Sequence, residues 1–335
     1  MGRRIGITTT IPVEIMLAAG HLPIDLNNTF ITSKNPDYLI KLAEQDGFPL
    51  NCCAWIKGIY GSVLEDKPDS VICVTSGDCS NTEMLMEVLK LKGISATSFA
   101  YPPHPNPEQM KEALEKLAFE MGTTIEVAEK VRVKLQPVRA KVLELDRLTW
   151  QEGVFNGWSN HYWLVSCSDF NSDATAFSSD LSKELMNSHN RQPFPEDTLR
   201  LAYVGVPPIF GRDLYRFTEE KGAQVVYNEV QRQFAMPMGG DSLAEQYSNY
   251  TYPYSIHQRI ADIKAEIDKR QVDAVIHYVQ SFCHRAIGDI IIRDALSLPV
   301  LTIEGNNEMY INQQIETRIE AFIDVLNFKR NKSWV

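Results

Sequence analysis

One arrangement is written twice in this chain. From Asp273 to Cys283 an apolar, β-branched run ends in a short polar turn. Cys283 then opens a helical pattern through Ile287, Ile290, Ile291 and Leu296, and a second apolar run follows from Leu298 to Ile303. Strand, turn, Cys, helix, strand is one βαβ unit. Earlier, Asp69 to Cys79 precedes helical positions at Met84, Leu85, Val88 and Leu89, then the run Ile94 to Phe99. In both copies the Cys stands ten residues after the Asp, at the strand's carboxyl end. The openings match too. Arg4-Ile5-Gly6-Ile7 runs into a helix at Pro12, and Arg200 to Val204 runs into Pro207-Pro208 and another helix. The pattern predicts two similar α/β halves with parallel sheets, each presenting one Cys at the edge where such sheets bind ligands.

A length of 335 residues allows two domains and a sizeable core. An apolar content of 44% is that of an ordinary water-soluble protein, and a mean hydropathy of -0.22 agrees. With 33 basic against 43 acidic residues the net charge is -10, which argues against a general binder of nucleic acid or anionic membrane. No stretch approaches the roughly 20 apolar residues of a spanning helix. Met1-Gly2-Arg3-Arg4 leads straight into a strand pattern without a secretory apolar region, so a cytoplasmic location is expected. In a reducing compartment the six Cys are expected to be buried thiols, catalytic thiols or metal ligands rather than disulfides.

Along the chain, residues 4–10 read as a strand, Val13 to Ala19 as a helix closed by Gly20, Leu22 to Leu26 as a strand and Asp37 to Gln45 as a helix. Asn51 is a plausible N-cap that would put Cys52 and Cys53 in a helix's first turn. The Pro-rich segment 101–107 reads as a linker. A long helical stretch over about 107–150 is expected to break near Gly122-Thr123-Thr124 and at Pro137, and 151–196 reads as irregular helix. Strands are expected at 200–205, 224–228, 273–279 and 298–303, with a closing helix from Ile311 to Phe328 that buries Ile315, Ile319, Phe322, Ile323 and Leu326. The expected organisation is an N-terminal α/β domain over 1–104, a helical segment over 105–197 and a C-terminal α/β domain over 198–335.

A thiolate at a strand-to-helix turn gains from the positive end of the helix dipole and from unbonded backbone N–H groups. Cys53, Cys79 and Cys283 have that setting. A pseudo-symmetric closure of the halves would bring Cys79 and Cys283 to one cleft, where three thiolates suit a [4Fe–4S] cluster with one iron left open as a Lewis acid. The same cysteines also suit a role as small buried hydrophobes, and the adjacent Cys52-Cys53 pair fits either use. Cys73 lies mid-strand and reads as core, while Cys167 lies among aromatic residues and fits either role. His161 and His284 are candidate proton donors or hydrogen-bonded structural residues, and Tyr162-Trp163 reads as packing. No P-loop, G-x-G-x-x-G or H-E-x-x-H is present, so ATP or NAD by those routes is not expected and any ATP energy must come through a partner.

Several of these residues together resemble the 2-hydroxyacyl-CoA dehydratase/benzoyl-CoA reductase subunit family, D-component-like. Gly6-Ile7-Thr8-Thr9-Thr10-Ile11-Pro12-Val13-Glu14-Ile15 with Ala18-Ala19-Gly20 is similar to its opening, as is Cys53-x-x-x-Lys57-x-x-x-Gly61. Val71-Ile72 leading to Cys79 resembles its second Cys motif, and Ala274-Val275-Ile276 leading to Cys283, with Leu298 to Glu304, its third. Glu316 to Phe322 is similar to its C-terminal helix, so the likeness covers nearly the whole chain. The resemblance implies two flavodoxin/Rossmann-like domains with helical additions, binding an iron–sulfur cluster through Cys53, Cys79 and Cys283. It implies pairing as a homodimer or heterodimer, and an ATP-hydrolysing [4Fe–4S] activator protein as electron donor. In the dehydratases such an electron makes a ketyl radical from a 2-hydroxyacyl-CoA, which then loses water.

The sequence departs from that pattern by being short for a dehydratase subunit and by carrying Cys52 beside Cys53, and Cys167. A similar branch of the family holds a double-cubane [8Fe–9S] cluster on additional thiolates and reduces small molecules. The extra cysteines favour that reductase over a benzoyl-CoA reductase or dehydratase subunit with a [4Fe–4S] cluster. Two further readings stay open: a non-catalytic two-domain binder of a small ligand, and a non-catalytic partner subunit or maturation factor. No nucleic-acid or membrane partner is expected.

Overall fold

The computed structural model describes residues 2–332. The chain forms two compact units. The first holds the described residues up to Lys141, with Ser166–Leu181 and Gln233–Ser255; the second holds Val142–Val165, Ser182–Arg232 and Ile256 onward. Residues of the helical segment 105–197 are therefore shared between them.

In the first unit four parallel strands, β1 (Arg4–Ile7), β2 (Leu22–Asp25), β3 (Ser70–Ser76) and β4 (Ala96–Ala100), lie in the order β2-β1-β3-β4. In the second, β5 (Leu199–Val204), β6 (Ala223–Asn228), β7 (Ala274–Gln280) and β8 (Val300–Gly305) lie in the order β6-β5-β7-β8, again all parallel. This is the α/β architecture the duplicated pattern predicts. The duplication reaches individual bonds. The Asp that precedes each Cys-bearing strand clips the start of the unit's first strand: Asp69 Oδ2 accepts from Arg4 N and Asp273 Oδ2 from Arg200 N, both at 2.7 Å. Strand order reverses between β1 and β3 and between β5 and β7. Ligands of such sheets bind outside the carboxyl ends at that point. β3 leads there to Cys79 and β7 to Cys283.

In the first unit the helix Ala54–Asp66 covers β3. Ile56, Ile59, Tyr60 and Val63 pack with Val71, Cys73, Leu85 and Leu89 in one apolar cluster. Asp66, at its far end, bonds Arg4 at the start of β1 (2.6 Å). Thirteen residues at about 1.5 Å rise carry its first turn back to the sheet's carboxyl edge. In the second unit the helix Ile256–Lys269 precedes β7, with Ile260, Ile263 and Ile267 packed on Val275. The other face of that sheet is covered by Gly211–Glu220 and by the closing helix Gln313–Lys332, which buries Ile315, Ile319, Ile323 and Leu326, with Phe322 half-buried beside them.

Three local expectations need correction. Asn51 does not cap a helix: Cys53 is the N-cap of Ala54–Asp66, so both thiols precede the first turn. Pro137 does not break its helix, which runs without interruption from Ile125 to Arg147. Its ring removes the bond to the carbonyl of Val133, on a face of the helix where Val133 is 54% exposed. The Gly122 break does occur, with φ at +78°. Lastly, Cys283 opens a 3₁₀ turn, His284–Gly288, before the helix Asp289–Ala295. That shift in phase turns Ile287 and Ile290 outward (72% and 69% exposed) and leaves Ile292 as the buried contact. No helix among the described residues is long and apolar enough to cross a membrane.

Candidate iron–sulfur site

All six cysteines are thiols. In the first unit, Cys53 belongs to the apolar cluster of the sheet face, and Cys52 and Cys79 pack against it. Cys79 follows β3 by three residues, and its carbonyl accepts from Thr82 N (3.2 Å) at the start of the helix Thr82–Leu91. Gly77 makes the preceding turn at φ +94°. A Cβ there would lie 2.8 Å from both Pro253 and Tyr101, so the turn is packed from outside and only glycine fits.

Cys167 lies in a 3₁₀ turn, Ser166–Ser168, moored to the carboxyl end of β2. Asp169 Oδ2 accepts from Asp25 N (2.8 Å), Asn28 Nδ2 donates to Ser168 Oγ (3.3 Å), and Ser172 Oγ donates to Pro23 O (2.7 Å). The following residues Phe170, Asn171 and Ser172 all hold positive φ (54°, 51° and 63°), a strain that persists only where the surroundings over-determine it. Burial and neighbouring Asp25 push the Asp169 carboxyl up to about 7. Cys52, Cys53, Cys79 and Cys167 are thus all set around the carboxyl edge of one sheet, while Cys283 stands at the equivalent edge of the other. Cys73 is excluded from that edge: it is fully buried mid-β3, and burial pushes its thiol up to about 12. Burial pushes Cys167 up to about 12 as well, with Arg139 pulling the other way. Cys52 is raised by burial against the pull of Lys57.

The two histidines are placed differently. His161 is buried in the second unit. Tyr215 donates its hydroxyl hydrogen to Asn228 Oδ1 (2.5 Å), so its oxygen accepts from His161 Nδ1 (2.9 Å). Burial lowers the imidazole to about 3, so it is neutral. His284 is exposed beside Cys283.

The spacing Cys53-x-x-x-Lys57 by itself implies no role for Lys57. It is 1% exposed, with its ammonium on Glu44 (2.6 Å) and the carbonyl of Leu50 (3.2 Å). It fastens the loop that delivers Cys52 and Cys53. A second buried cation, Arg139, bonds fully buried Glu14 (2.6 Å), which also accepts from Gln246 and Tyr247 (both 2.9 Å). This knot holds the turn after β1. The only sequence signal for either was a charged residue inside an apolar helical pattern.

The sequence model of the 2-hydroxyglutaryl-CoA dehydratase D-component family matches residues 8–326. The chain belongs to that family. A search of curated proteins returned no match. Family membership makes the chain a component of a 2-hydroxyacyl-CoA dehydratase-like enzyme, and proteins of the family bind iron–sulfur clusters. The donor set fits such a group, since clusters of this kind take thiolates and five thiols stand at the two sheet edges. Among the described residues no three His, Cys, Asp or Glu side chains gather around a single metal ion. A cubane places each thiolate on a different iron, so its ligands do not meet at one point.

Proposed function

We propose that the chain holds an iron–sulfur cluster through Cys53, Cys79 and Cys283 and performs low-potential reductive chemistry with electrons from an ATP-hydrolysing activator protein. The observation that supports this best is positional. Each of the three thiols directly precedes a helical turn at a sheet's carboxyl edge, two of them beyond the strands where strand order reverses. When bound, the cluster supplies electron transfer, and an iron without a protein ligand adds Lewis acidity.

The chain's own part is to hold and shield. Lys57 fixes the Cys52–Cys53 loop, the Gly77 turn fixes Cys79, and burial shields Cys53 and Cys167 from water. We assign His161 to the Tyr215–Asn228 network, since a buried neutral imidazole already donating there has no proton to spare. His284 remains the candidate proton donor beside Cys283.

Cys52 and Cys167 favour the double-cubane [8Fe–9S] reductase acting on a small molecule. A [4Fe–4S] subunit of a 2-hydroxyacyl-CoA dehydratase or benzoyl-CoA reductase is the second reading, supported by the family match itself. In both, the chain works as a homodimer or heterodimer. The variant Cys52→Ser/Cys167→Ser separates them. Loss of about half the iron is expected of the double cubane, and unchanged iron returns the reading to a single cubane and acyl-CoA substrates.

A further inference from the structure

The segment bearing Cys283 is closed by a clamp made of none of the thiols. His277 on β7 and Thr302 on β8 are cross-strand neighbours. Both bond one oxygen of Asp289: His277 Nδ1 lies 2.7 Å from Oδ1, and Thr302 Oγ1 donates to it at 2.7 Å. Asp289 is the first residue of the helix Asp289–Ala295. His277 stands six residues before Cys283 and Asp289 six after it, so the clamp ties together the two ends of the thiol-bearing segment. Near its entry, Ser281 N bonds Gly305 O (2.8 Å). Phe282 sits at φ +63° and is 53% exposed, and Ile287 is 72% exposed. The clamp and the Ser281 bond hold the segment at its two ends. The first unit solves the same problem without a polar clamp. The residues matching His277 and Asp289, counted from the two Cys, are Cys73 and Leu85, and both are buried in one apolar cluster.

We propose that Asp289 is a positioning residue, whose bonds to His277 and Thr302 fix the segment 281–288 and, through it, the Cys283 thiol. The relevance of this to a cluster rests on the reading of Cys283 as a ligand; the clamp itself acts in the iron-free chain. The test uses the full-length iron-free protein. Iodoacetamide alkylation of Cys283 and of Cys79 is followed by peptide mass spectrometry, and the ratio of the two rates is read. Asp289→Leu removes the acceptor and is expected to raise the Cys283/Cys79 ratio roughly tenfold, as loss of a charge-assisted bond implies. Asp289→Asn keeps Oδ1 as an acceptor and is expected to hold the ratio within about twofold of wild type. If Asp289→Leu fails to fold because His277 is left buried and unpartnered, His277→Leu/Asp289→Leu takes its place with the same expectation. A ratio unchanged in the folded Leu variant, or an Asn variant as reactive as the Leu variant, overturns the proposal. The two readings fail separately. Iron retained by Cys283→Ser would remove the ligand assignment and leave the alkylation result standing, whereas iron lost with an unchanged ratio would remove the clamp alone.

Discussion

The two units share strand order, the Asp clip and a Cys beyond the third strand, yet they bury opposite chemistry behind that strand. In the first, the buried face of the covering helix Ala54–Asp66 is mostly apolar, with Lys57 as its one buried charge, and is pressed close: Gly58 faces the ring of Phe30, and a Cβ on Gly61 would lie 2.2 Å from the carbonyl of Leu39. In the second, the covering helix Ile256–Lys269 buries Arg259, Asp262 and Glu266 beside its isoleucines. Arg259 pairs with Glu229 through two bonds of 2.8 Å, Arg232 bridges Asp262 and Glu266, and Arg270 bonds Asp146 at 2.6 and 2.9 Å. The Cys turns follow suit, with Cys73 and Leu85 behind Cys79 but His277 and Asp289 behind Cys283. One backbone plan accepts either solution. The close helix of the first unit also follows directly on Cys52 and Cys53, whereas the residues just before Ile256–Lys269 are Tyr254 and Ser255. The duplication is therefore symmetric in scaffold and asymmetric in thiols, five to one.

The largest effect is expected where the units are alike. Cys79→Ser and Cys283→Ser should each lose nearly all bound iron after anaerobic reconstitution while keeping the far-ultraviolet spectrum of the wild type; iron retained by either would break the equivalence of the two turns. Next comes the charged face of the second unit. Arg270→Met leaves Asp146 buried without its bonded cation and takes one of Glu266's, and should cost about 3–5 kcal/mol in urea unfolding. The apolar face of the first unit answers to volume instead, and Gly61→Ala should cost about 3 kcal/mol through the clash with Leu39. A first-unit covering helix as sensitive to charge removal as Ile256–Lys269 would dissolve the contrast.

The smallest expected effect is a pH dependence specific to the second unit. Folding holds His161 neutral down to about pH 3, whereas the unfolded chain protonates it below about 6.5. A histidine whose folded value is depressed gives its full contribution above 6.5, and stability falls as pH drops toward the folded value. Between pH 7 and pH 5 this single group should remove about 2 kcal/mol. His161→Asn keeps a donor for Tyr215 and should flatten that part of the pH–stability curve; an unchanged slope would show that other groups carry it.

The fold was legible because βαβ periodicity is local, and the repeat of Asp, strand and Cys fixes two sheets without reference to anything distant. Cys79 and Cys283 were legible for the same reason. The three local errors share a cause. Capping at Cys53 rather than Asn51, continuity through Pro137 and the outward turn of Ile287 depend on one-residue phase and on solvent access, and the residue pattern states neither. Lys57, Arg139 and the His277–Asp289 clamp were not legible, because a buried ion pair needs partners 13, 125 and 12 residues away that only folding brings together. His161 lies in an aromatic segment that gives no hint of whether its imidazole faces solvent or Tyr215.

The central claim is that these edges hold iron, and the most direct test is iron and acid-labile sulfide per chain on protein purified without oxygen. About eight iron per chain is predicted, two cubanes' worth. About four would keep the site and shift the reading to a single cubane. No iron, with reconstitution also failing, would contradict the account.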